Sequence, residues 1–172
     1  DHGKLVFEGS TSDAVRILRE GFQRDALAAP VHTEESGTIS IRDIAMVDED
    51  GAPLRVARTG DTIRIRMDLH ASKRVEGWVT AFSLDTNLGQ KLHYYNSRNS
   101  GVTLPPIDGD ATVMITVPTL TLGEGLYRMN VSIDDAGGQP YAQRDGAWDL
   151  VVQGNGIGSG PVALDSAIEV EG

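Results

Sequence analysis

The amino-acid sequence predicts an all-β fold, an antiparallel sandwich. Three observations predict it. From Thr38 onward apolar residues recur with period two, the signature of strands with one buried face. Turn chemistry, not helical periodicity, divides these segments. Twenty glycines, 5% aromatic residues and many β-branched side chains favour strands and turns over helices.

Taken in chain order, residues 1–24 are the exception. Leu5-Val6-Phe7 reads as a short apolar strand, and Gly9 to Asp13 as a turn with a helix N-cap. Val15, Leu18 and Phe22 then share one helical face, with Gly21 placed to end the helix. A lone strand and helix cannot bury that face, so the segment reads as the end of a larger α/β unit. Residues 25–37 carry no clean period and read as linker.

The sandwich is expected over residues 38–153. Strands fall near 39–47 and 53–57, separated by Asp48-Glu49-Asp50-Gly51 and followed by Arg58-Thr59-Gly60-Asp61. Ile63, Ile65, Met67 and Leu69 alternate with Arg64, Arg66, Asp68 and His70. Strands are expected near 77–85 and 90–96, and Pro105 to Asp110 reads as a turn. Val113, Ile115 and Val117 alternate next, then Tyr127, Met129, Val131 and Ile133. After Ala136-Gly137-Gly138 come a strand near 139–143 and an alternation of Trp148, Leu150 and Val152. Residues 154–172 read as a Gly-rich connector and a last short strand, Val162 to Val170. The expected core is Ile63, Ile65, Met67, Phe82, Leu84, Val113, Ile115, Tyr127, Met129, Val131, Trp148 and Leu150.

Gly125-Leu126-Tyr127 opens an alternating strand with a tyrosine two residues after a glycine. Immunoglobulin-like sandwiches place such a tyrosine at a sheet corner, its hydroxyl bonded to backbone just upstream. The fold is therefore expected to be immunoglobulin-like, or jelly-roll-like.

Composition excludes several function classes. Fifteen Lys and Arg stand against 25 Asp and Glu, a formal charge of −10, which disfavours nucleic acid and anionic lipid as partners. Cysteine is absent, which removes disulfides, Cys-ligated zinc and thiol catalysis. No apolar run approaches the roughly 18 residues of a membrane span. Asp1-His2-Gly3-Lys4 lacks a signal-peptide pattern, so a soluble protein of a reducing or indifferent compartment is expected. Gly3-Lys4 and Gly89-Gln90-Lys91 do not complete a P-loop, and Gly154 to Gly160 opens no helix that would cradle phosphate. No Gly-x-Ser-x-Gly elbow or His-Glu-x-x-His motif occurs, so no catalytic residue is assigned. Carboxylates cluster at Asp48-Glu49-Asp50, Asp108/Asp110 and Asp134-Asp135, all in expected turns, where Asp bonds its own backbone. Calcium would be the functional use of such clusters, but no EF-hand loop is present. Neither a metal nor a cofactor is assigned.

The ordered landmarks carry a resemblance. They are Val47-Asp48-Glu49-Asp50-Gly51, Gly60-Asp61-Thr62-Ile63-Arg64-Ile65, and Phe82-Ser83-Leu84-Asp85 leading through Gly89 to Tyr95-Asn96-Ser97. Val117-Pro118-Thr119-Leu120-Thr121-Leu122-Gly123-Glu124-Gly125-Leu126-Tyr127 and Ile133-Asp134-Asp135 follow. In this succession the chain resembles the C-terminal domain of Wzt, the ATP-binding subunit of ABC transporters that export O-antigen and related polysaccharides. Residues 1–22 resemble the last strand and helix of the ATPase domain that precedes it. The resemblance implies a non-enzymatic domain that binds the export-ready glycan. It further implies a homodimer, a transmembrane exporter subunit as partner through the parent ATPase domain, and a cytoplasmic location at the inner face of the cell membrane. Apolar Val162-Ala163-Leu164 and Ile168, tethered by the Gly-rich connector, add a strand that could join a partner's sheet edge. The alternative is a structural or protein-interaction sandwich, which an exposed apolar patch would favour.

Strand parity supplies candidate glycan-binding residues. With Phe82 and Leu84 inward, Ala81 and Ser83 face outward as a shallow floor. With Leu92 and Tyr94 inward, His93 and Tyr95 face outward, and so do Arg128 and Asn130 opposite Tyr127. Arg98 and Asn99 would close one edge, Arg98 pairing an anionic cap. The candidate set is Ser83, His93, Tyr95, Arg98, Asn99, Arg128 and Asn130, a mix of ring surface and hydrogen-bonding groups that suits a pyranose. Arg64, Arg66 and His70 form a second outward row.

Overall fold

The computed structural model describes residues 32–154, 156, 158 and 160–164. The chain divides into two compact units, Asp1–Pro30 and Val31–Gly172, and the fold described is that of the second. The strand and helix expected within residues 1–24, most of the expected linker, and residues 165–170 of the expected last strand lie outside the described residues.

The described residues form nine strands: β1 His32–Glu35, β2 Ile39–Val47, β3 Val56–Arg58, β4 Ile63–Val75, β5 Val79–Thr86, β6 Lys91–Asn96, β7 Ile107–Val117, β8 Gly125–Asp134 and β9 Pro140–Gln153. Among the described residues there is no helix. The larger sheet runs β1-β9-β8-β5-β6, with β3 also joined to β9, and the smaller runs β2-β4-β7. Every pairing is antiparallel except β3 with β9.

Period-two patterning places the core between the sheets. Ile63, Ile65, Met67 and Leu69 of β4 share one buried cluster with Tyr127, Met129, Val131 and Ile133 of β8. Ten of the twelve expected core residues are buried, while Val113 and Trp148 are half-buried against the same cluster. Trp78, just before β5, is buried and donates its indole N–H to the Pro105 carbonyl at 2.8 Å. The Tyr127 hydroxyl donates to the Gly123 carbonyl four residues upstream at 2.9 Å, the corner bond expected of the motif. Turn aspartates act as backbone acceptors: Asp48 Oδ1 takes the amides of Asp50 and Ala52, and Asp135 Oδ1 those of Gly137 and Gln139.

Four local expectations are corrected. Residues 32–35, placed in the linker, form β1, which pairs with Asp145 to Ala142 of β9. Ile107 to Asp110, read as a turn, extend β7 because β4 is long enough to pair them, Gly109 lying opposite Ala71 and Ile107 opposite Val75. Long-range pairing here overrides the local turn preference of Asp and Gly. The segments 139–143 and 147–152 are one strand, β9, carried through an irregularity around Asp145 to Ala147 where its register against β8 shifts.

The fourth correction concerns β6. Phe82 pairs with Tyr95 and Leu84 with His93, so Tyr95 and His93 share the inner face with Phe82, and Tyr94 faces outward beside Ser83. A register shift between Leu84 and Asp85 skips Leu92, which packs against the core next to inward His93. The parity read from Leu92 and Tyr94 is inverted by that bulge.

Candidate functional site

The outer face of the larger sheet carries a concavity of about 470 Å³. Its floor comes from β5, where Ala81 and Ser83 are 1% and 6% exposed. These small side chains stand opposite Ser132 and Asn130 of β8. Asp85 continues the row, and Gln143 and Asp145 of β9 and Lys91 and Tyr94 of β6 form the walls. Tyr94 is 51% exposed, an aromatic plate at the rim.

Hydrogen bonds fix the polar groups. Asn130 Nδ2 donates to Ser83 Oγ at 3.0 Å and to Asp85 Oδ2 at 2.9 Å, and its Oδ1 accepts the Gly146 amide at 2.8 Å. That last bond is possible because the β9 irregularity turns the Gly146 N–H toward β8, with Gly146 at a φ of 67°. Ser132 Oγ donates to Asp134 Oδ2 at 3.0 Å, and Gln143 Nε2 to Asp145 Oδ1 at 2.9 Å. Asn96 Nδ2 donates to the Tyr94 hydroxyl at 3.1 Å, and Lys91 Nζ lies 5.8 Å from the Tyr94 ring centroid. Burial pushes the Asp134 carboxyl above its ordinary value; Asp135 adds to the rise, while the Ser132 hydroxyl and Arg98 oppose it.

The candidate residues divide three ways. Ser83 and Asn130 are at the centre of the concavity. Arg128 is on the same face, opposite Asp85, and its Nε donates to Asp149 Oδ1 at 3.1 Å. His93 and Tyr95 lie on the inner side, their rings 5.5 Å and 5.7 Å from that of Phe82. Arg98 and Asn99 sit in the β6–β7 loop. Arg98 Nη2 donates to the carbonyls of Ala136 at 2.8 Å and Asp135 at 3.3 Å, and the residue lines a smaller cleft of about 250 Å³ with Trp78 and Leu104. The Asn99 amide donates to Asn96 Oδ1 at 2.7 Å.

Parity reasoning missed Tyr94, Asp85, Gln143 and Asp145. Asp85 was within its reach, two residues after Ser83 on one strand. Gln143 and Asp145 needed the strand order, and Tyr94 needed the bulge. The second outward row is held by internal contacts: Arg66 Nη2 donates to Asp43 at 2.8 Å, His70 Nδ1 is 2.6 Å from Asp110 Oδ1, and Arg64 donates to the Glu49 carbonyl at 2.6 Å.

Residues 31–164 match the family described as the Wzt C-terminal domain. The chain belongs to that family. The crystal structure of the C-terminal domain of Wzt superposes with a TM-score of 0.74 at 15% identity, covering 82% of this chain and 89% of that one. At that identity the likeness is one of fold, and it is the immunoglobulin-like sandwich expected from the sequence. A Niemann-Pick type C2 protein from the Japanese carpenter ant gives a TM-score of 0.47 at 11% identity, over 70% of this chain and 98% of that one. No curated protein sequence matches. Membership in the Wzt C-terminal family supports, at the family level, a non-catalytic domain with a carbohydrate-binding role in polysaccharide export. Among the described residues no helix is long and apolar enough to cross a membrane, and no group of three or more His, Cys, Asp or Glu is placed to hold a metal ion.

Proposed function

We propose that this chain binds the export-ready glycan of a polysaccharide ABC exporter, and that it does so in the concavity on the outer face of the larger sheet. The observation that carries the reading is the pairing of an exposed aromatic plate, Tyr94, with a floor of small side chains and fixed polar groups centred on Asn130. A pyranose presents an apolar ring face and a girdle of hydroxyls, and this surface offers a partner for each. Among the described residues the exposed large aliphatic side chains are Val56, Leu88, Val102, Met114, Val162 and Leu164, none of which lines the concavity.

The parent subunit would carry the domain at the inner face of the membrane, beside the transmembrane exporter subunit and as a homodimer. The tail folds back on its own chain, Val162 bridging Leu122 and the Ala163 amide donating to the Thr121 carbonyl at 2.8 Å, with Leu164 left 76% exposed; the dimer therefore rests on the family context alone. Calorimetric titration with the exported polysaccharide of the source strain tests the binding. Saturable binding that Asn130→Ala weakens in a folded chain supports the reading, and a flat titration overturns it. A monomeric mass at tens of micromolar overturns the dimer.

A further inference from the structure

We propose that this face selects uncharged glycans and discriminates against sugars bearing a carboxylate, sulfate or phosphate where they meet the concavity. The inference rests on the glycan reading above and goes on to name the substrate class.

Sugar hydroxyls both donate and accept, whereas an anionic substituent only accepts and needs N–H or O–H groups pointed at it. Several neutral donors on this face are already committed, while Lys91 Nζ, 5.8 Å from the Tyr94 ring centroid, is the charged donor among the lining residues. Asn130 Nδ2 gives its hydrogens to Ser83 and Asp85, Ser132 gives its own to Asp134, and Gln143 Nε2 is turned to Asp145. Asn96 Nδ2 is turned to the Tyr94 oxygen.

The acceptors have capacity left. A carboxylate offers about four lone-pair sites. Asp85 accepts from Asn130 at 2.9 Å and only at 3.4 Å from Ser83 Oγ, and Asp145 accepts from Gln143 at 2.9 Å with its side chain 48% exposed. Such oxygens are suited to a hydroxyl that donates.

Charge points the same way. The residues lining the concavity include two carboxylates, Asp85 and Asp145, against one cation, Lys91. Arg128 is paired with Asp149, and Arg98, the residue expected to meet an anionic cap, is held by two carbonyls beside a different cleft. An anion entering here meets like charge, and the net charge of −10 adds a repulsive field.

The test is an array of oligosaccharides, two to six residues long, pairing each neutral glycan with its terminally carboxylated, sulfated and phosphorylated forms, followed by calorimetry on the full chain. Neutral members are expected to bind about tenfold more tightly than their anionic partners, the scale of one like-charge contact. Added salt should narrow the gap by screening the repulsion. Asp85→Asn should narrow it further by raising anionic binding in a chain that stays folded. Anionic members binding as tightly as neutral ones, with no response to Asp85→Asn, would overturn the charge selection and leave glycan binding standing. Binding to no member overturns both.

Discussion

The Tyr127 hydroxyl donates to the Gly123 carbonyl at 2.9 Å and lies 3.3 Å from the Pro161 carbonyl, so one side chain ties the entry of β8 to the segment that follows the Gly-rich connector. The approach is close: a Cβ on residue 123 would stand 1.9 Å from the Gly160 carbonyl oxygen. Tyr127→Phe is expected to cost about 1–2 kcal/mol, measured by denaturant unfolding. Burial pushes the Tyr127 hydroxyl above its ordinary value. The fold therefore favours the protonated form, and its contribution is lost as pH rises beyond the ordinary tyrosine range. The difference between wild type and Tyr127→Phe should shrink at alkaline pH, and a constant difference would contradict this role.

Adjacent tyrosines on β6 should behave oppositely. Tyr94→Ala removes an exposed plate and is expected to leave stability within about 0.5 kcal/mol of wild type while weakening glycan binding. Tyr95→Ala removes a ring packed 5.7 Å from Phe82 and should cost about 2 kcal/mol with binding retained in the folded fraction. Thermal unfolding and glycan titration on both variants decide the matter, and the reverse pattern would restore the outward parity of Tyr95.

Gly146 joins backbone strain to the site. At a φ of 67° it is in the left-handed region, where a Cβ costs roughly 1–2 kcal/mol. That Cβ would also stand 3.4 Å from Arg128 Cδ. Gly146→Ala should lower stability by about that amount and weaken glycan binding, because the amide that holds Asn130 moves with the strand. Full stability in urea unfolding would mean that the irregularity relaxes without cost.

Asp134 gives a pH signature in the acid range. Its carboxyl is raised by burial, so the folded state holds the proton more tightly than the unfolded chain does. Its contribution to stability is present below the ordinary carboxylate range and is lost as pH rises through its elevated value. Asp134→Asn, neutral at every pH, is expected to match or exceed wild type near neutrality and to lose that advantage in acid. A variant less stable than wild type at pH 7 would show that the Ser132 and Arg98 interactions outweigh burial.

What could be read from the residues follows from where the physics is local. β4 and most of β8 bury one face between the sheets, so their alternation is regular and the expected core of Ile63, Met67, Met129 and Val131 is the observed one. β6 is an edge strand of six residues, and a bulge at Leu92 exchanges the faces of Tyr94 and Tyr95 relative to the parity read from Leu92. That Ser83 and Asn130 share the outward face was legible because both sit on interior strands of the larger sheet. Gln143 and Asp145 were not, because they reach the concavity only through the neighbour order β9-β8-β5, which no local pattern encodes.

The last strand has a consequence for the order of events as the chain is made. β9 pairs with three strands, β1, β3 and β8, and closes links to distant parts of the chain: Trp148 Nε1 donates to the Leu54 carbonyl, 94 positions away, and Arg144 Nη2 to the Ile41 carbonyl of β2, 103 positions away. Until residues 140–153 have left the ribosome, β1 and β3 have no neighbour and β8 has an open edge. The larger sheet thus completes late, through long-range closures that fold slowly, and the half-built domain must keep an unpaired β8 edge from joining another chain.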